Sequence, residues 1–87
     1  MGKLVLTRKE GEQVRVGANV ITLQRVSRAN VNIVTTIPKR VHSCAIGDTV
    51  QLEPGVTVTV VEIRCKQVKL AFEAPLSVQI VRTEIDV

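Results

Sequence analysis

A single aromatic residue, Phe72, stands among 87 residues, with no Trp and no Tyr. Single-strand RNA modules commonly read bases by stacking them on aromatic rings, at about 1–3 kcal/mol per base, and that platform is excluded here. Any RNA recognition must run through arginines, backbone hydrogen bonds and aliphatic contact along strand edges. His42 is the only histidine, which leaves neither a His-based metal site nor a Ser-His-Asp triad within easy reach. Its neighbour Ser43 would point to the opposite face of a strand. Cys44 and Cys65 form no CxxC, and are expected as buried or half-buried thiols in a reducing compartment rather than as a disulfide. Gly11 and Gly17 lack the Lys-Ser/Thr that would complete a phosphate loop. Glu10 and Glu12 flank a turn glycine as solvated acids, not as a catalytic pair. No run of about 18 apolar residues is present to span a membrane, and the charged opening MGKLVLTRKEGE does not read as a secretory signal. The expectation is a cytoplasmic protein with no catalytic residue, no metal and no cofactor.

What the chain has instead is β-branched residues: 17 Val, 7 Ile and 8 Thr. Stiff at χ1, these side chains suit a pleated surface. The charge is uneven. Residues 1–44 carry a net +6 and residues 45–87 a net −2, within a total of +4. A basic half points to an anionic partner, with nucleic acid the first choice. The alternating runs EQVRVG, NVITLQRV, VTVTVVEI and QVKLAFEAP read as strands, and no stretch has a helical apolar period. In NVITLQRV the alternation puts Val20, Thr22, Gln24 and Val26 on one face, Ile21 and Leu23 on the other. The Val60-Val61 doublet is a candidate bulge, and Pro38 and Pro75 mark strand ends.

The same phrase is written twice. GEQVRVG at Gly11 and GDTVQLEPG at Gly47 share the order Gly, acid, any residue, Val, any residue, aliphatic. Gly11 matches Gly47 at a spacing of 36; Leu23 and Val60, Val26 and Ile63, Asn30 and Gln67, Pro38 and Pro75, and Val41 and Val78 match at 37. This pattern predicts one domain, 1–87, built from repeat one (1–44) and repeat two (45–87). Each repeat is too small to hold a core alone, so the two must share one with interleaved strands.

LVLTRKEGEQVRVG, Leu4 to Gly17, resembles the opening of the carbon storage regulator family (CsrA/RsmA), and EAPLSVQIVRTEI, Glu73 to Ile85, resembles its final strand. The resemblance implies an all-β fold, an interlocked small β-sandwich or barrel made of two five-strand-like repeats, a single-chain pseudo-dimer. It implies a post-transcriptional, translational regulator that reads GGA in single-stranded or hairpin-loop RNA of message leaders or small RNAs. In the family each site pairs the first strand of one unit with the last strand of the other. By resemblance, the RNA-binding residues are Val5, Leu6, Thr7, Arg8 and Lys9 from the first strand, with Ala74, Pro75, Val78, Ile80 and Arg82 from the approach to and body of the last. Val81 and Leu76 stand where the family often has a histidine and a lysine.

A second site would need another last strand and another first strand between Pro38 and Gly47. Only Lys39 to Ile46 is available, about 26 Å of extended chain, which is one strand. Ala45 stands at the position that matches Arg82. One intact site is therefore expected, on a monomer. Two other readings are a protein-interaction module that kept the fold and lost RNA recognition, and a duplex-DNA binder that uses the basic half.

Overall fold

The computed structural model describes residues 2–36, 39–53, 55–75 and 80–83. Nine strands occur among them: β1 (Gly2–Lys9), β2 (Gln13–Val16), β3 (Asn19–Val26), β4 (Asn30–Thr36), β5 (Lys39–Ala45), β6 (Thr49–Glu53), β7 (Val56–Arg64), β8 (Gln67–Ala74) and β9 (Ile80–Thr83). β8 ends at Ala74, just before Pro75, as expected; Pro38 and Val78 lie outside the described residues. The chain is all-β, and every ladder is antiparallel.

Two meanders, β2-β3-β4 and β6-β7-β8, form the frames of two sheets. The five-stranded sheet has the order β5-β4-β3-β2-β9 and the four-stranded sheet the order β1-β8-β7-β6. Strand exchange is plain in the registers. β1 leaves its own meander to pair with β8 (Leu6 opposite Leu70), while β9 crosses back to β2 (Arg82 opposite Val14). The segment 39–46 holds one strand, as expected, so nine strands and not ten occur among the described residues; β5 includes both Cys44 and Ala45.

One core fills the space between the sheets. Val14, Val16, Ile21, Leu23, Val31 and Ile33 from the first meander meet Val58, Val60, Val68, Leu70 and Phe72 from the second, all nearly inaccessible to solvent. Neither meander has a second apolar layer of its own, so each is stabilised by the burial the other provides.

The two glycine phrases make the same corner. Gly11 N–H donates to Leu23 C=O and Gly47 N–H to Val60 C=O, both at 2.7 Å. Leu23 N–H returns to Glu12 C=O at 3.1 Å, as Val60 N–H does to Asp48 C=O at 3.0 Å. The φ values are +88° at Gly11 and +93° at Gly47, with no atom within 4 Å of where a Cβ would sit. Backbone conformation, not space, selects glycine at both corners.

A bulge follows each corner, between Leu23 and Arg25 on β3 and between Val60 and Glu62 on β7. The second is the one the Val60-Val61 doublet announced. The first corrects the alternation expected for β3. The extra residue resets the period, so Val26 joins Ile21 and Leu23 in the core while Gln24 is exposed.

Candidate nucleic-acid interface

β1 and β9 lie at outer edges of different sheets, and among the described residues neither forms a ladder with the other. β1 is an apolar and basic edge. Val5 is 49 % exposed and Leu4 38 % exposed, whereas Leu6 packs partly against the core. Thr7 and Lys9 are exposed. Ala74 is buried and Pro75 exposed beside it; Ile80 packs partly on the core, and Arg82 occupies the β9 position opposite Val14.

Arg8 is not a solvated strand-end charge. It is only 6 % exposed, with Nε donating to Thr7 C=O at 3.2 Å and Nη1 to Gln13 C=O at 3.4 Å. Its Nη2 lies 3.5 Å from Glu12 Oε1. That same oxygen accepts the Lys9 N–H at 2.7 Å. The arginine side chain thus ties the end of β1 to the start of β2, and its charge is largely answered within the protein. Glu10 and Glu12 are not merely solvated turn acids either. Glu10 Oε1 accepts Val26 N–H at 2.7 Å and lies 3.9 Å from Lys66 Nζ. Both carboxylates fasten the corner by accepting backbone N–H groups.

The β1–β8 register adds residues that sequence reasoning missed. Thr7 stands opposite Lys69 and Lys9 opposite Gln67. A hollow of about 200 Å³ is lined by Thr7, Glu62, Arg64, Gln67 and Lys69, with Lys69 Nζ 3.8 Å from Glu62 Oε2. No sequence signal shows this, because the ladder joins residues about sixty positions apart.

The two thiols are free. Cys44 is buried as expected, and burial, followed by the Asp48 carboxylate, pushes its pKa above 9.0. Cys65 departs from expectation and is exposed. It and Lys66 form a two-residue hairpin turn with φ of 51° and 67°. Positive φ at both central residues is the geometry of a type I′ turn, which favours Asn and Gly, so the Cys-Lys pair holds a strained conformation there.

The fold is a strand-exchanged pair of antiparallel β-sheets, with exposed Lys3 and Lys9 along the β1 edge and the single aromatic ring, Phe72, buried in the core. Residues 43–87, just over half of the chain, match the model of CsrA, described as a global regulator protein family, and the chain belongs to that family. Membership implies an RNA-binding, post-transcriptional regulator. No curated protein and no solved structure gives a match. The matched segment contains the end of β5, from Ser43, and all of β6 to β9; the Leu4–Gly17 resemblance lies outside it.

Proposed function

We propose that the chain is a tandem, single-chain form of the family fold: a cytoplasmic translational regulator with one site for GGA in single-stranded or hairpin-loop RNA. The observation that carries it is an asymmetry of edges. β2 is flanked by β3 and β9, whereas β6, made at the equivalent corner, pairs among the described residues only with β7. β5 takes at β4 the register that β1 takes at β8: Ala45 faces Asn30 as Lys9 faces Gln67. Read this way, β1–β4 form one unit without a last strand and β5–β9 a complete unit of five, divided between Thr36 and Lys39. A first strand and a last strand suited to RNA then occur together once, as β1 and β9.

In this reading Val5, Leu6, Thr7 and Lys9 meet RNA along the β1 edge, with Arg8 acting as a positioning residue that holds the strand end. Ala74 and Pro75 shape the approach to the last strand. Val78 and Ile80 offer backbone groups to the bases. Arg82 supplies the guanidinium fork suited to guanine and phosphate. No step of chemistry is involved.

The test is a titration against a hairpin with GGA in its loop and the same hairpin carrying CCA. Preference for GGA, saturating at one RNA per chain, is expected, and Arg82→Ala should weaken it by about tenfold or more, the worth of a charged hydrogen bond. Two RNAs per chain would overturn the single site. A second reading, a protein-interaction module, is favoured by the outer edge of β6, which is unpaired among the described residues and carries no Lys or Arg to blunt strand addition. Equal binding to both hairpins would move the weight there.

A further inference from the structure

The turns β3–β4 and β7–β8 come together around a cleft of about 630 Å³ lined by residues that include Arg25, Arg28, Ile63, Arg64, Cys65 and Lys66. We infer that this cleft is a phosphate-binding site that holds the RNA backbone flanking the recognised bases. This rests on the RNA-binding reading above.

Three observations carry it. First, the charge is concentrated and mostly unanswered. All four cations are exposed, and among the described residues Arg25, Arg28 and Arg64 form no ion pair; Lys66 has only Glu10, at 3.9 Å. Like charges converging on one concavity repel each other, and an anion relieves that repulsion. Second, the strained turn delivers one of the cations. Lys66 sits at φ 67° where Asn or Gly would be comfortable. Strain kept at a functional position is a recurring pattern. Third, the cleft continues the β1 edge. Glu10 N–H, directly after the strand, donates to Lys66 C=O at 3.2 Å. Arg64 lines both this cleft and the Thr7 hollow. An RNA strand leaving Thr7 and Lys9 therefore meets Arg64 next, then the other cations. The cleft has no aromatic ring among its lining residues, so it would grip phosphates without reading sequence.

The experiment compares a short single-stranded GGA RNA with the same RNA extended by about eight nucleotides at each end, within the span that single-strand grooves cover. The proteins are the full chain, Arg28→Ala/Arg64→Ala, Lys66→Asn and Arg82→Ala. The extension should tighten binding to the unaltered chain. The double variant should lose roughly tenfold of affinity for the long RNA and little for the short one, with a salt slope shallower by about 1.4 for two lost contacts. Lys66→Asn separates charge from folding. It should raise the melting temperature, because Asn tolerates positive φ, yet still weaken binding of the long RNA. Equal affinity of the double variant and the unaltered chain for the long RNA, with Arg82→Ala still impaired on both, would overturn the cleft and leave the GGA site standing. Binding of neither RNA by the unaltered chain would remove both readings. Inorganic tripolyphosphate serves as the free-anion probe. If it binds the unaltered chain and not the double variant while the extension adds nothing, the cleft serves a free polyanion and the RNA assignment is wrong.

Discussion

At the corner between β1 and β2, Lys9 N–H is held by Glu12 Oε1 at 2.7 Å; at the corner between β5 and β6, Ala45 N–H is held by Asp48 Oδ2 at 2.9 Å. Three backbone bonds at the first corner have counterparts at the second, and a bulge follows each corner. The side chains do not match. Where the first corner has Thr7, Arg8 and Lys9, the second has Ser43, Cys44 and Ala45. Arg8 and Cys44 are both buried, one as a guanidinium held by two carbonyls and a carboxylate, the other as a thiol in the core. The frame therefore depends on main-chain bonds and glycine conformation, and leaves strand chemistry free to diverge. One edge keeps cations that suit an anionic ligand. The other is uncharged toward its corner.

The comparison can be broken hardest in the core. Phe72 on β8 occupies the place that Thr35, also buried, occupies on β4: they face Leu4 and Arg40 in equivalent registers. Phe72→Ala should cost about 3–5 kcal/mol in denaturant unfolding. Thr35→Ala should cost no more than about 1–2 kcal/mol, since a hydroxyl and one methyl group, not a ring, are lost. Similar losses at the two sites would mean that the two halves share the load evenly, contrary to this packing.

Next come the corner acids. Glu12→Ala strands both Lys9 N–H and the buried Arg8, and should cost about 2–3 kcal/mol. Asp48→Ala removes the bond to Ala45 N–H with no buried cation left behind, for about 1 kcal/mol. Chemical denaturation of both variants measures the difference directly, and equal costs would deny Arg8 its structural role.

Gly11→Ala and Gly47→Ala probe the frame itself. Each places a Cβ at strongly positive φ, at about 1–2 kcal/mol, and the two melting shifts should agree if the corners are the same structure.

The smallest effect is one of pH. Because burial raises the Cys44 pKa above 9.0, the folded chain holds the thiol proton more tightly than the unfolded chain. Stability is then intact below about pH 9 and falls as pH rises through the folded value, where the unfolded state has already released its proton. Melting curves between neutral and alkaline pH should show a decline that Cys44→Ala flattens.

Much of the fold is legible from the letters. Alternating Val and Ile mark the strands, the Gly-acid pairs mark the corners, and the doublet Val60-Val61 marks the bulge on β7. The equivalent bulge on β3 is hidden, because Gln24 and Arg25 keep the polar look of a solvent face while the chain resets beneath them. The candidate site divides in the same way. The residues of β1 are readable in sequence, but the burial of Arg8 is not, since it depends on Gln13 C=O and Glu12 arriving from the next strand. Arg64 and Lys69 were invisible for a similar reason, since Lys69 meets Thr7 across the β1–β8 ladder and Arg64 is brought beside them by the β7–β8 ladder.

By itself the sequence determined what is local: period-two strands from β-branched residues, corners from glycines that accept positive φ, and room for a single strand between β4 and β6. Only the tertiary structure decided which strands are neighbours, sending β1 to β8 and β9 to β2, leaving β6 paired only with β7 among the described residues and gathering four cations from two turns distant in sequence. The reason is physical. Strand propensity and turn conformation are set within a few residues, whereas pairing is chosen by which arrangement buries both meanders at once, a quantity that exists only when the whole chain is folded.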